Sequence, residues 1–171
     1  MPHVFEPASS GRSKCRGCGN ALERGAIRFG ERLPNPYAEG EMTLWFHPMC
    51  AAYKRPEAML EALATTEAVA NRVELDSAAR ASGSQARLQR IDGAERAKGQ
   101  ANCRHCREPI PKGAWRIRLT FFEEGRFNPA GFIHIACAKP YFNAVDLVDH
   151  VLHFSASLPA ADAEEARSAL R

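Results

Sequence analysis

The sequence has no run of about 18 consecutive apolar residues, which is the length that a membrane-spanning helix requires. It also lacks a P-loop, a G-x-G-x-x-G segment and a recognisable nucleophile motif. The first residues, MPHVFEPASSG, include no apolar signal segment, so we expect a reducing compartment. These absences argue against a membrane protein and against an enzyme that acts on a small-molecule substrate.

Cysteine occurs only in two ordered sets. All six cysteines follow the pattern C-x2-C, a long gap and then H-x2-C, and no cysteine is left over. The gap covers residues 19–46 in the first set and 107–133 in the second. Three thiolates and one imidazole form a closed tetrahedral zinc site, so the sequence predicts two Zn²⁺ ions per chain. The predicted ligands are Cys15, Cys18, His47 and Cys50, followed by Cys103, Cys106, His134 and Cys137.

The spacing has a geometric reason. Two residues between cysteines allow a tight turn to direct both sulfurs at one ion, and H-x2-C places two ligands on one face of a helical turn. Four protein ligands leave no open position, which is typical of a structural zinc and not of a catalytic one. Disulfide pairing is the alternative, and a reducing compartment argues against it. His105 lies inside the second C-x2-C pair and is a competing ligand, but His134 already completes that set.

The net charge of +3 is unevenly distributed along the chain. Segment 1–55 has eight Lys and Arg against five Asp and Glu, and segment 99–139 has seven against three. Segments 56–98 and 140–171 are acidic, with six against seven and two against five. Part of the basic excess balances the charge of about −1 on each Cys3His zinc site. Any nucleic-acid interface would therefore consist of a few placed contacts and not of a polybasic tail.

Local patterns predict strands near residues 22–29, 42–46 and 115–122, with a turn over 123–129. A helix is predicted from Pro56, with an apolar face that continues to Val73, and further helices from Val145 and Pro159. Residues 1–14 are predicted to form a loop or a short extended arm, and residues 85–91 a second short helix. Each Cys3His module is too small to fold well on apolar burial alone, and a bound metal supplies the stability that its small core lacks.

These elements predict an α+β fold with two small Cys3His zinc-centred antiparallel hairpin modules, each followed by helices. The expected domains are a zinc finger over 1–55 and a helical connector over 56–95. A second zinc finger over 96–141 and an acidic helical tail over 142–171 follow.

The residues around the predicted ligands carry a family resemblance. Ser10-Gly11-Arg12 precedes Cys15, Arg28 lies ten residues after Cys18, and Trp45 lies two residues before His47. The second set has EPIPKG over 108–113, and Arg116 lies ten residues after Cys106. Together with the Cys3His spacing, these residues resemble the PARP-type zinc finger of poly(ADP-ribose) polymerase and a eukaryotic DNA ligase.

The resemblance implies that the fingers bind nicks and ends of double-stranded DNA. In that family, arginines contact the phosphate backbone and apolar loop residues stack on the base pair exposed at the break. Mapped onto this chain, the family's two stacking positions in the first finger fall on Ala38 and Met42, and neighbouring Tyr37 substitutes for Ala38, which is too small to stack well. In the second finger the stacking loop is 122–129, with Phe127 as the candidate. The second finger has Gln100 where the first has Arg12. The DNA-binding residues implied are Arg12, Arg28, Tyr37, Met42, Lys98, Arg116 and Phe127.

Break recognition does not need base-edge contacts, because breaks occur in any sequence; it needs phosphate contacts and a cap on an unstacked base pair. The expected function is a non-enzymatic zinc-finger protein that binds DNA breaks in DNA repair, with another repair protein as a further partner. The abundance of alanine and of arginine over lysine favours a bacterial source. The expected location is the nucleoid in the cytoplasm of a bacterium, or the nucleus of a eukaryote.

Alternatives stay open at this point. The fingers are alternatively a protein-interaction module in which zinc only stabilises the fold. A metal-dependent nuclease is disfavoured, because both sites are fully ligated. Phe127 is alternatively a core residue, and Arg12 and Arg28 are alternatively solvated or counter-charges to the thiolates. Trp45 and Trp115 are expected in the core.

Overall fold

The computed structural model describes residues 2–171 and contains two compact units. The first unit consists of the residues up to Ser84 and the short segment Glu123–Phe127, and the second consists of Gln85–Phe122 and Asn128–Arg171. Each unit has one three-stranded sheet, helices and one Cys3His set. The expected α+β class with two zinc-centred modules is confirmed. Over residues 2–171, no helix combines the length and the apolar character needed to cross a membrane.

The first unit begins with an antiparallel sheet of order β1-β2-β3, followed by three helices. Its core includes Phe29 and Phe46 from the sheet and Met59 from the helices, all of them fully buried. The elements are β1 (Val4–Pro7), β2 (Ile27–Pro34), β3 (Glu41–Phe46), α1 (Pro48–Lys54), α2 (Pro56–Thr65) and α3 (Arg72–Gly83).

β1 lies where the sequence predicts a loop or an extended arm. Val4 pairs with Gly30 and Glu6 pairs with Arg28, so β1 is an edge strand of the sheet. Pro7 ends the strand, a position at which proline is tolerated. Four residues are too few to show an alternating pattern, and their partners lie far along the chain, so local residues indicate only an extended conformation.

The helical region after the first zinc set is interrupted, although the sequence predicts one apolar face that continues to Val73. α2 begins at Pro56 as predicted but ends at Thr65. The guanidinium of Arg72 donates hydrogen bonds to two carbonyls at the end of α2, which a helix end otherwise leaves unpaired. α3 then buries Leu75 instead, and Val73 is 78% exposed.

The second unit repeats the sheet plan, with strand order β4-β7-β8, and adds a two-stranded pair of β5 and β6. Its strands are β4 (Arg90–Arg96), β5 (Ala101–Asn102), β6 (Pro109–Ile110), β7 (Trp115–Glu123) and β8 (Arg126–His134). A 3-10 helix (Ile135–Cys137) leads to α4 (Ala138–Phe142), α5 (Val148–His153) and α6 (Ala160–Leu170). One apolar cluster, which includes Ile117, Ile133, Phe142 and Val151, forms the core of this unit.

β4 occupies residues for which the sequence predicts the end of a short helix and a turn. It pairs antiparallel with β7, and its register shifts between Ile91 and Ala94. Gly93 lies in this bulge with φ 113°, and a Cβ at this position would collide with the Phe154 carbonyl oxygen. Only glycine fits there. The last part of the segment predicted as a connector is therefore a strand of the second unit.

Candidate zinc centres and nucleic-acid interface

The first Cys3His set is assembled from one turn and one helix start. Cys15 and Cys18 lie in the turn before β2, His47 is the N-cap of α1, and Cys50 lies in its first turn. The four ligand atoms lie within 4.8 Å of one another. The Nδ1 atom of His47 is 3.4 Å from the Cys18 sulfur and 3.9 Å from the Cys50 sulfur.

The second set repeats this arrangement. Cys103 and Cys106 lie in the turn between β5 and β6, His134 is the N-cap of the 3-10 helix, and Cys137 is its last residue. The Nδ1 atom of His134 is 3.4 Å from the Cys106 sulfur and 3.8 Å from the Cys137 sulfur. Ligands of one tetrahedral zinc, with Zn–S of about 2.3 Å and Zn–N of about 2.0–2.1 Å, lie about 3.5–3.8 Å apart. Both sets therefore fit a zinc ion, and the prediction of two zinc sites is confirmed.

The first cysteine of each set accepts two backbone amide hydrogen bonds. The N–H groups of Gly17 and His47 donate to the Cys15 sulfur at 3.3 and 3.2 Å. A hydrogen bond from the Cys50 thiol, together with the backbone amides, lowers the pKa of Cys15 to about 6 although burial raises it. Zinc binds thiolates, so these bonds prepare the site for the metal.

At the second site, the N–H groups of His105 and His134 donate to the Cys103 sulfur, both at 3.4 Å. Burial raises the pKa of Cys103, but the amide hydrogen bonds from Cys106, His134 and His105 outweigh it and lower the pKa to about 6. The same physical device therefore favours the thiolate in both units.

The surroundings of the two C-x2-C turns differ. In the first unit, the ammonium group of Lys54, which is only 2% exposed, donates to the Gly17 carbonyl at 2.5 Å. In the second unit the equivalent positions hold Tyr141 and His105, whose rings meet edge to face with centroids 6.1 Å apart. His105 is exposed, and its ring packs on Tyr141. It is not one of the four clustered ligands.

The two sites also differ in exposure and in ligand support. The first cysteine of each set is buried, but Cys18 is half-buried and Cys50 buried, whereas their equivalents Cys106 and Cys137 are exposed and half-buried. The Nε2 atom of His134 lies 3.1 Å from the Pro109 carbonyl, an acceptor that directs the ring proton to Nε2 and leaves Nδ1 for the metal. The first site is the more buried of the two, and the second is oriented by this hydrogen bond.

Arg28 and Arg116 occupy equivalent interior positions. Arg28 is 6% exposed, its Nη2 atom is 2.9 Å from the Glu6 carboxylate, and its guanidinium lies 3.6 Å from the centroid of Trp45. Trp45 itself is half-buried. Because Glu6 lies on β1 and Trp45 lies on β3, the Arg28 guanidinium connects these two strands across β2. The predicted phosphate contact of Arg28 stays a prediction.

Arg116 repeats this arrangement in the second unit. It is also 6% exposed, bonds the Glu95 carboxylate at 2.7 Å and lies 3.6 Å from the centroid of Phe132. Phe132 precedes His134 by two residues, as Trp45 precedes His47. Glu6 and Glu95 were missed from the sequence, because each lies on a strand that local patterns did not reveal.

Tyr37 lies in the turn between β2 and β3, and Met42 is the second residue of β3. Tyr37 is 58% exposed, and its hydroxyl donates to the Glu124 carbonyl at 3.0 Å. Met42 is half-buried, and its methyl group fills the space in which Gly125 would carry a Cβ. Both contacts lie within the first unit, which includes Glu123–Phe127.

Phe127 belongs to the same unit and is half-buried. Its ring meets that of Phe46 edge to face, with centroids 6.2 Å apart, and the Lys54 ammonium lies 5.3 Å from its centroid. The structure therefore places all three predicted stacking residues in the first unit, although Phe127 was predicted to serve the second finger, and Tyr37 is the most exposed of the three. The remaining predicted contacts, Arg12 and Lys98, are exposed, as is Gln100.

Residues 6–85 match the family described as the poly(ADP-ribose) polymerase and DNA-ligase zinc-finger region. The matched segment contains the first Cys3His set and all helices of the first unit. This match confirms the resemblance that the flanking residues indicate.

The chain is also similar to poly(ADP-ribose) polymerases. It is 28% identical to that of Sarcophaga peregrina over 142 residues, which cover 72% of this chain and 14% of the polymerase. It is 24% identical to poly(ADP-ribose) polymerase 1 of Oryza sativa subsp. japonica over 155 residues, which cover 85% of this chain and 16% of the relative. A segment of 54 residues is 37% identical to the enzyme of Gallus gallus, over 30% of this chain and 5% of the relative. The chain thus spans a small part of the length of these relatives.

Proposed function

We propose that the chain binds double-stranded DNA at nicks or ends, because residues 6–85 match the poly(ADP-ribose) polymerase and DNA-ligase zinc-finger region. The observation that carries the proposal is the coincidence of this family match with a complete Cys3His site in one compact unit. The similarity to poly(ADP-ribose) polymerases over most of the chain supports the same function for the second unit.

Exposed cations supply the phosphate contacts in this proposal. Arg12 in the first unit and Lys98 in the second are both exposed. Arg28 and Arg116 are bonded to carboxylates inside their sheets, so they position strands and the aromatic residues on them. Contacts to phosphate carry no sequence information, which suits a protein that recognises a break in any sequence.

Tyr37 is the side chain that caps the exposed base pair in this proposal. More than half of its surface is exposed, and its ring lies on a turn at the end of the sheet. A ring can cap a base pair inside an intact helix only by unstacking it, which costs a few kcal/mol, whereas a nick allows the duplex to open a face on which the ring stacks.

We propose a non-enzymatic role in DNA repair, in which the protein marks a break for another repair protein. Both Cys3His sets supply four protein ligands, and such closed sites stabilise structure. The acidic tail, which contains α6, is a surface for a partner that binds beside DNA. The protein would act wherever its DNA lies, at the nucleoid of a bacterium or in a eukaryotic nucleus.

The decisive experiment compares binding to intact and nicked duplexes of one sequence. Stacking is worth about 1–3 kcal/mol per base, so wild type should prefer the nick by about tenfold to a hundredfold. Tyr37→Ala should lose most of this preference and retain salt-sensitive binding to intact duplex. Tyr37→Phe, which keeps the ring, is the matched control and should retain the preference. Equal binding of wild type to both duplexes would contradict break recognition, and no binding to DNA would favour the protein-interaction alternative.

A further inference from the structure

A shallow cleft lies beside the first zinc site. Its volume is about 330 Å³. It is lined by the zinc ligand Cys15 and by five further residues, namely Ser13, Lys14, Arg16, Thr43 and Trp45. These side chains supply two cations, two hydroxyl groups and one indole ring around a single concave surface. None of these five residues is among the metal ligands or the DNA contacts that the family resemblance implies.

The walls of the cleft are held in place by the fold. The N–H group of Arg16 donates to the Trp45 carbonyl at 2.9 Å, which fixes the C-x2-C turn against β3. Lys14 forms an isolated antiparallel bridge with Ala21. The buried Arg28 guanidinium reaches the Ser13 hydroxyl at 3.5 Å and lies on the Trp45 ring. The cleft is therefore formed before any ligand binds.

The charge of the cleft is positive. Lys14 and Arg16 are exposed, and among residues 2–171 no carboxylate forms an ion pair with either of them. The charge of Arg28, by contrast, is already compensated by Glu6. Two adjacent cations with two hydroxyl donors match a tetrahedral anion, since a phosphate group accepts several charge-assisted hydrogen bonds.

We propose that this cleft binds one phosphodiester group of the DNA backbone, with Lys14 and Arg16 as cationic donors and Ser13 and Thr43 as hydroxyl donors. The inference rests on the proposed function and names phosphate contacts of that site. Arg28 is a positioning residue here, because it acts through Ser13 and Trp45. Arg12 lies next to Ser13 in the chain and extends the same basic surface.

The second unit lacks this arrangement at the equivalent positions. Ala101 and Asn102 replace Ser13 and Lys14 before the first cysteine, and Ala130 replaces Thr43 four residues before the histidine. Only the arginine after the first cysteine is common to both units, as Arg16 and Arg104. The second unit therefore has neither hydroxyl and only one of the two cations, and it provides a matched control within the same chain.

The test measures the dissociation constant of the full chain for a nicked duplex over a series of salt concentrations. Lys14→Ala/Arg16→Ala should weaken binding on the order of tenfold to a hundredfold. The slope of log K against log salt should fall by about one, as expected for one lost phosphate contact. Ser13→Ala/Thr43→Ala should weaken binding by about threefold to tenfold without changing that slope, because no charge is removed.

The control is Asn102→Ala/Arg104→Ala, which should change affinity and salt slope far less. Zinc content and thermal unfolding of every variant show that the fold is retained. If wild type binds the nick and Lys14→Ala/Arg16→Ala binds as tightly as the control, the cleft assignment is overturned and the proposed function stands. If wild type binds no DNA, the proposed function fails, and with it the assignment of the cleft to a DNA phosphate.

Discussion

The two units of the chain use the same ligand order but support their zinc sites differently. In the first unit, the buried ammonium group of Lys54 bonds the C-x2-C turn at Gly17. In the second, the aromatic ring of Tyr141 packs on His105. Three thiolates and one dication carry about −1, so Lys54 compensates this charge in the first unit and Tyr141 does not in the second.

The same contrast recurs away from the metal. In the first unit, Glu31 is 4% exposed and its carboxylate binds the Arg55 guanidinium at 2.6 and 2.8 Å. At the equivalent offsets from the zinc ligands, the second unit has Leu119 and Phe142, both in its apolar core. The comparison teaches that the metal ligands, the sheet order and the buried arginine on the middle strand are the shared plan. Interior charge and surface chemistry are what distinguish the units.

Removal of one zinc ligand should have the largest effect, and it tests whether each unit depends only on its own zinc ion. Structural zinc contributes about 10–16 kcal/mol to the folding of zinc-finger peptides at pH 7. Cys15→Ser and Cys103→Ser should each therefore retain one zinc ion and lose the structure of only one unit. Elemental analysis with amide hydrogen exchange of β2 and β7 measures both results. Loss of both ions from either variant would show that the units do not fold independently.

Glu31→Gln tests the charged interior of the first unit. The substitution keeps the volume and removes the charge that faces Arg55, and a broken buried pair costs about 3 kcal/mol. Hydrogen exchange of the amides in β2 should show this destabilisation. Glu23→Gln, at an exposed position, is the control and should have little effect. Equal protection in the two variants would mean that the first unit, like the second, is stabilised mainly by apolar contacts.

Glu95→Gln and Glu6→Gln compare the carboxylates that hold the equivalent arginines. The Glu95 side chain is 13% exposed and binds both Arg116 and Arg118, whereas the Glu6 side chain is 45% exposed and binds Arg28. We expect a loss of about 2 kcal/mol for Glu95→Gln and below about 1 kcal/mol for Glu6→Gln, from thermal unfolding. A larger loss for Glu6→Gln would reverse the ranking.

The Glu95 contribution should also depend on pH. Burial raises the pKa of Glu95, but hydrogen bonds from Arg118 and Arg116 outweigh it, so the pKa of this carboxyl lies below its usual value. A carboxylate with a lowered pKa stabilises the fold above its unfolded pKa and loses that contribution as the pH falls through the folded value. The difference between wild type and Glu95→Gln should therefore be constant at neutral pH and shrink below about pH 4.5.

The rate of zinc release should show the smallest difference. Cys106 is exposed, whereas the equivalent Cys18 of the first site is half-buried, so a chelator should remove zinc faster from Cys15→Ser than from Cys103→Ser. We expect a ratio on the order of tenfold, similar to the effect of other changes around metal ligands. The measurement is the absorbance of a chromogenic zinc chelator over time. Slower release from the second site would show that the His134–Pro109 hydrogen bond outweighs exposure.

The metal sites were predictable from the sequence because C-x2-C and H-x2-C are local patterns with one geometric solution. β3 and β7 were also predictable, since each alternates apolar residues over several positions. β1 and β4 were not, because an edge strand is defined by a partner far away in the chain. Without β1, the interior position of Arg28 beside Glu6 could not be inferred. The sequence pattern also gave no sign that Lys14 and Arg16 line one cleft.

The reactivity of the Lys54 amine should report whether the first zinc site is occupied. An amine-acylating reagent should modify exposed lysines such as Lys14 and Lys98 in the native protein, but not Lys54, whose amine is buried at the C-x2-C turn. Once the first zinc leaves, this turn loses its anchor and the amine becomes accessible. Mass spectrometry of the peptide that contains Lys54 would then report the metal state of one finger separately from the other, in a mixture and without purification of either form.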